Sequence, residues 1–290
     1  MIPEPMFDCQ QARIEVQLGW RNSTVSLITL TTDFGLADSY VGVMKGVMLG
    51  IDPTATIVDI SHDITPQDVR EAAYVIYTAY PYFPPDTIHV VVVDPGVGSR
   101  RRAIALRAAQ ACFVAPDNGV LSYVLAREGM SEAVGLTNPR YHRPTVSRTF
   151  HGRDIFAPVA AHLARGVPLA ELGGPLTEVV TFPLPQPRVL PDGDVAGHVL
   201  HIDRFGNLVL DVREGDGILG KGLVLEAAGC RIQGLGRTFS DVPAGELVAY
   251  IGSSGHLEIA LREGNAARSL GMEIGDHILL REAKKGEDKG

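Results

Sequence analysis

The stretch VVVVDPGVGSRRR, residues 90–102, decides the fold. Four consecutive valines form an apolar run with no polar face, the pattern of a parallel strand covered on both sides. The run ends at Asp94, after which Pro95, Gly96 and Gly98 bend the chain towards three arginines. TIHVVVVD extends this strand upstream. Before it, QDVREAAYVIYTAYPYF (67–83) carries apolar residues at helical spacing until Pro84-Pro85. ATIVDIS (55–61) reads as a strand, and VSLITLTTD (25–33) as another that ends in Asp33 and leads into a helical run, DSYVGVMKGVMLGI. Downstream, AIALRA (103–108) and ACFVAP (111–116) read as strands, Asp117-Asn118-Gly119 as a tight turn, and GRDIFAPVAAHLARG (152–166) as an amphipathic helix.

The texture changes after FPLPQPRVLPDGD (182–194), whose four prolines leave neither helical nor strand period. GHVLHID, NLVLDV, LVLEAA, ELVAYIG, HLEIALR and DHILLRE then follow as short strands between glycine turns, the pattern of a small antiparallel sandwich or barrel. The expected organisation is an extension over 1–24, a three-layer α/β domain with a mostly parallel sheet over 25–184, and a linker over 185–193. An all-β barrel-like or sandwich domain over 194–283 and a disordered tail over 284–290 complete it.

Composition narrows the partners. The 290 residues carry a net charge of −8, which argues against a nucleic-acid-coating protein and gives no reason for attraction to a membrane surface. Hydrophobic residues at 45% and charged residues at 21% are an ordinary balance for a chain with a sizeable core. Cys9, Cys112 and Cys230 are odd in number and far apart, so they build neither a disulfide framework nor a CxxC zinc pair. Reduced thiols, the lack of a signal-peptide core in residues 1–26 and the lack of a long apolar run make a cytoplasmic location the expectation.

Two acids, Asp33 and Asp94, stand at the carboxyl ends of parallel strands, where ligands of open α/β sheets bind. Each either caps a turn or meets a ligand. Neither DFGLAD nor DPGVGS is a GxGxxG or P-loop lysine motif, so phosphate cradling is a weak reading. TFHGRD (149–154) supplies His151 ahead of a helix. His62, Asp63, His151 and Asp154 offer metal-type ligands but lack HExxH-like spacing, so no metal site is assigned.

Seven ordered blocks then resemble one family: TTDFGLADSYVGVMKG, DISHDI, VVDPGVGSRRR, APDNGVLS, TFHGRDIFAPVAAHLA, HIDRFGNLVL and SSGHLEIAL. The chain resembles the S-adenosylmethionine hydroxide adenosyltransferases, hydrolytic relatives of the fluorinating and chlorinating enzymes, from about Val25 to Glu282. The resemblance implies a reaction of S-adenosylmethionine with water or hydroxide to give adenosine and L-methionine. It implies no cofactor and no metal. It also implies a homotrimer, with the nucleoside between the N-terminal domain of one subunit and the C-terminal domain of its neighbour. The catalytic set it implies is Asp94, Arg101 and His151, with Arg100 and Arg102 flanking the arginine. For binding it implies Asp33 on the ribose hydroxyls, and Asp38 and Ser39 near the methionine end. Asp203 would meet the methionine amino group, Asn207 the adenine edge, Ser253 the methionine carboxylate, and backbone around Ala266 the adenine. HIDRFGN is one residue shorter between Asp203 and Asn207 than in the halogenating relatives, and a plain hairpin turn is the competing reading of that block.

Chemistry agrees with this set. A sulfonium leaves as a neutral thioether and needs no general acid, so the difficulty lies in the nucleophile: bulk water has a pKa of about 15.7. An arginine stays cationic and stabilises developing hydroxide, while Asp94 or His151 takes or directs the proton. Three other readings remain: a halide-using transferase, a non-catalytic S-adenosylmethionine-binding protein, and a metal-dependent hydrolase.

Overall fold

A computed structural model describes residues 26–219 and 222–282. The extension over 1–24 and the tail over 284–290 lie outside the described residues. The chain divides into two compact units between Phe182 and Pro183.

The first unit is a three-layer α/β domain around a six-stranded sheet. Its strands are β1 Leu27–Thr32, β2 Thr56–Ser61, β3 Ile88–Val92, β4 Ala103–Ala108, β5 Ala111–Pro116 and β6 Glu132–Gly135, in the order β2-β1-β3-β5-β4-β6. β1 pairs in parallel with β2 and β3, and β3 with β5, whereas β4 runs antiparallel to β5 and β6. The valine run explains itself in this setting. Val90 and Val92 face a core shared with helices α1 (Tyr40–Ile51) and α4 (Ala157–Ala164), through Met44, Met48 and Val159. Val91 and Val93 face the other core, with Ile76 of α2 (Val69–Ala79) and Val124 of α3 (Ser122–Glu128). All four valines are at most 2% exposed, and each such burial stabilises by roughly 1.5–3 kcal/mol.

Register brings the acids together. Thr32 stands opposite Val92, so Asp33 and Asp94 leave the same edge of adjacent parallel strands. The antiparallel β4 starts at that edge, with Ala103 opposite Pro116, which returns the three arginines to the strand end that carries Asp94. The single amphipathic helix expected over 152–166 is composite. A π-helical turn, Gly152–Phe156, runs directly into α4, with Ala157 N–H donating to Gly152 O and Pro158 following at the start of α4.

The second unit is all-β and antiparallel. β8 Val195–Ile202, β9 Leu208–Arg213, β10 Leu223–Ala227, β11 Cys230–Gln233, β12 Leu247–Ile251, β13 His256–Leu261 and β14 His277–Glu282 follow the order β11-β10-β14-β8-β9-β13-β12. The two ends of this path approach each other, and Gly236 N–H donates to Ala249 O at 2.8 Å, so the sheet is a nearly closed barrel. Within the Pro-rich segment a two-residue strand, β7 Arg188–Val189, pairs with β8. Three elements of this unit escaped the pattern reading. CRIQ buries only Ile232, β7 is too short to show a period, and the one-turn helix α5 (Ala266–Leu270) is set by its Asn265 cap.

Candidate active site

Asp94 follows β3, and the turn after it is held by Val97 N–H to Asp94 O at 3.1 Å and Ser99 N–H to Gly96 O at 3.0 Å. The turn brings Arg101 back side-on to Asp94. Arg101 Nε donates to Asp94 Oδ1 at 2.9 Å and Nη2 donates to Oδ2. A second Nη2 proton goes to His151 Nδ1 at 2.7 Å. The Asp94 and Arg101 side chains are only 6% and 9% exposed, and Phe156 packs its ring 5.4 Å from the guanidinium carbon. All three residues of the expected catalytic set therefore form one connected group.

The neighbouring arginines have different settings. Arg102 Nε donates to Asp117 Oδ2 at 2.6 Å and its Nη2 donates to Glu178 O at 3.0 Å. Asp117 also accepts Val180 N–H at 2.7 Å, so this arginine ties the Asp117 turn to the end of the first unit. Arg100 is exposed. The loop carrying Asp94 touches the loop carrying His151 backbone to backbone at Gly98. Its φ is +77°, and a Cβ there would stand 2.5 Å from Arg148 O, so glycine is required twice over.

His151 begins the π-helical turn. Burial pushes its pKa below the ordinary histidine value, and the Arg101 charge pushes the same way, against opposing pulls from Asp94 and Asp154. Asp154 is fully buried and receives Arg153 Nε at 2.6 Å, Arg153 Nη2 at 2.8 Å and Ser147 N–H at 2.8 Å. Burial raises its pKa, but these hydrogen bonds outweigh it and the net shift is downward. Asp154 is thus a loop brace.

Asp94 and His151 open onto a cleft of about 640 Å³ that Asp33 also lines, with the rings of Phe34, Tyr40 and Phe150. These rings meet one another at centroid distances of 5.2–5.9 Å. The sequence reading missed them, because aromatic residues at a helix start and in a loop look like ordinary core. Asp33 Oδ2 accepts Gln67 N–H at 2.8 Å. Asp38 and Ser39 are exposed at the start of α1, beside Tyr40. Of the metal-type candidates, His62 is engaged by Thr32 and Asp154 by Arg153. Among the described residues, no group of three or more His, Cys, Asp or Glu side chains is placed to hold a metal ion.

In the second unit, Asp203 and Asn207 brace their own turn. Asp203 Oδ1 accepts the N–H groups of Phe205 and Asn207 at 2.9 Å each, and its Oδ2 accepts Asn207 Nδ2 at 2.8 Å. The block is therefore a hairpin turn as well as a candidate binding element. Gly206 O accepts Ala267 N–H at 2.9 Å, and a Cβ on Gly206 would stand 2.1 Å from the Asn265 side chain, so Asn207 and buried Ala266 share one locale. Ser253 is exposed in the β12–β13 turn. Nearby, Glu258 accepts the Tyr250 hydroxyl at 2.6 Å, and burial, together with the Asp203 charge, raises its pKa.

Two family models match the chain, the SAM hydroxide adenosyltransferase N-terminal domain over residues 28–173 and its C-terminal domain over 197–279. An (R)-S-adenosyl-L-methionine hydrolase of Salinispora arenicola is 42% identical over 259 residues, covering 87% of this chain and 96% of its own. A protein of the same name from Thermus thermophilus is 40% identical over 259 residues, covering 86% and 97%. A fluorinase of Actinoplanes sp. is 31% identical over 299 residues, covering 89% and 98%. A crystal structure of an uncharacterized conserved protein from Thermotoga maritima matches with a TM-score of 0.82 at 38% identity, covering 87% of this chain and 99% of that one.

Proposed function

The chain belongs to the SAM hydroxide adenosyltransferase family, and from that premise we infer that it hydrolyses S-adenosyl-L-methionine to adenosine and L-methionine. The observation that carries the reading is that one guanidinium, Arg101, binds both Asp94 and His151 at the cleft.

The reaction is a displacement at the 5′ carbon. A water oxygen forms the new bond while the carbon–sulfur bond breaks, and its electron pair stays on sulfur, turning the sulfonium into a neutral thioether. The leaving group therefore asks for no acid and no Lewis acid. The incoming water, once bonded to carbon, is strongly acidic, so a weak base close by is enough to take its proton.

Hydrogen-bond direction assigns the roles within this reading. Arginine only donates, so His151 Nδ1 accepts, and the neutral ring then carries its proton on Nε2. His151 is accordingly a donor that fixes the water oxygen, and Asp94 is the group left to receive the proton. Arg101 holds both at a set spacing through its hydrogen bonds to each. The sulfonium suits a cleft with carboxylates and the faces of Phe34, Tyr40 and Phe150, since cations are attracted to aromatic faces. Asp33 takes the ribose hydroxyls, with Asp38 and Ser39 towards the methionine end. In the second unit Asp203 and Ser253 take the methionine amino and carboxylate groups, and Asn207 and Ala266 the adenine. A halide site needs small donors around a dehydrated anion, which an Asp-Arg-His group does not provide. The same reading carries a homotrimer, to be checked by sedimentation, and a cytoplasmic location. Among the described residues, no helix is long and apolar enough to cross a membrane.

The test is product analysis in ¹⁸O-labelled water, with chelator and without halide. The expected products are methionine and adenosine labelled at the 5′ oxygen. Absence of adenosine overturns the reading. Formation of a 5′-halo nucleoside on adding halide transfers it to the halide-using relatives, and activity that chelator abolishes and metal restores transfers it to a metal hydrolase.

A further inference from the structure

The block DISHDI belongs to the first unit but touches none of the reacting groups described above. Its histidine is nevertheless placed with care. His62 is 4% exposed, and its Nδ1 lies 2.8 Å from Oγ1 of Thr32, a residue with no exposure at all. Its Nε2 lies 3.0 Å from Asp59 Oδ1, and the other oxygen of Asp59 receives Lys45 Nζ at 2.6 Å. The Nε2–Asp59 approach is an ion-pair distance without hydrogen-bond geometry, whereas Nδ1 and the Thr32 hydroxyl are hydrogen-bonded to each other. The hydroxyl oxygen also accepts Phe34 N–H, 3.3 Å away.

The same segment grips the next residues by its backbone. His62 O accepts Gly35 N–H at 2.8 Å. Five residues on, Gln67 N–H donates to Asp33 Oδ2 at 2.8 Å. Gln67 holds a φ of +68°, a conformation that a side-chain-bearing residue rarely adopts. Asp33 is thus bracketed on both sides, by Thr32 and by Phe34-Gly35, and its carboxylate is held from the front.

We propose that residues 59–67 are a clamp that sets the Asp33 carboxylate for the ribose hydroxyls, with His62 as its positioning residue acting through Thr32. The proposal rests on the assignment of Asp33 to the ribose. A mere core histidine would need neither the directed hydroxyl nor the strained Gln67 contact on the ligand-facing acid.

The experiment measures binding of adenosine and of 2′,3′-dideoxyadenosine to the full chain by calorimetry. The wild-type chain prefers adenosine by at least about tenfold, the scale of one hydrogen bond to a charged group. Asp33→Ala removes the preference. His62→Ala and Thr32→Val each reduce it to within about threefold. His62→Asn keeps an acceptor near the Nδ1 position and retains the preference, as does Thr32→Ser. His62→Ala added to Asp33→Ala changes nothing further, as residues acting through one group require. Should His62→Ala not melt cooperatively, Thr32→Val decides. Wild-type preference in the folded Thr32→Val or His62→Ala protein overturns the clamp while leaving the ribose assignment in place. Equal affinity of the wild-type protein for the two nucleosides, or preference surviving in Asp33→Ala, overturns both.

Discussion

Arg101 Nη2 stands 2.7 Å from His151 Nδ1, and because arginine has no acceptor, this contact fixes the direction of the whole site. The imidazole is held neutral with its remaining proton on the far nitrogen. Protonating it would set a cation against a guanidinium already committed to Asp94.

The arginines of residues 100–102 should separate cleanly by experiment. Arg101→Ala is expected to lower kcat by about 10²–10³ with the fold kept. Arg101→Lys should not restore it, because a point-like ammonium cannot serve two carboxylate oxygens and an imidazole at once. Arg102→Ala should lower stability by about 1–2 kcal/mol through the loss of the buried Asp117's partner, with activity per folded molecule unchanged. Steady-state kinetics beside urea unfolding checks both.

Activity should fall on acidification with a midpoint below the ordinary histidine value of about 6.5. Burial and the Arg101 charge depress the His151 pKa, so the working neutral form persists down to that lower pH and is lost beneath it. A kcat/KM profile that bends above about 6.5 would contradict the assignment of the acid limb to His151.

Gly98→Ala should cost about 1–3 kcal/mol, because it adds a Cβ at a positive φ where the nearest backbone oxygen would lie 2.5 Å away. Relief requires the Asp94 and His151 loops to part, so kcat should fall as well. Thermal unfolding and turnover on the same sample give both readings.

Stability should decline as pH falls from about 6.5 towards about 3. His89 is fully buried against Phe113 and Thr29, and burial pushes its pKa down to about 3. In this window the unfolded chain binds a proton that the folded chain refuses, so acid favours unfolding, by up to about 1.4 kcal/mol per pH unit. Several other buried histidines act with the same sign, so the measure is a difference. His89→Gln should be less stable at pH 7 and show a shallower loss between pH 7 and pH 5.

The valine run was readable because a strand buried on both faces leaves a continuous apolar signature, and Asp94 was readable because it interrupts that signature. The return of Arg101 was only partly so. Its placement depends on β4 running against its neighbours, and the sequence between Gly98 and Ala103 has no feature that states direction. Asp203 and Asn207 carried two readings at once; the turn reading holds, and the turn engages the same side chains that a ligand would use. Cys230–Gln233 went unseen because a strand with one buried residue has no period to detect. His62 shows in the sequence only as a metal-type ligand, for its partner Thr32 lies 30 positions away along the chain, where motif spacing has no reach.

The acid and the arginine of the site lie seven residues apart, the arginine and the histidine fifty. These separations give the proposed catalytic group an order of birth. During synthesis at about 5–20 residues per second, the first pair can close several seconds before the imidazole leaves the ribosome. Through that interval the growing chain carries a counter-charged pair with nothing to hold water against it. If the proposed catalytic roles hold, a nascent chain lacking His151 is expected to be inert towards S-adenosylmethionine, with activity arising as a late event of folding.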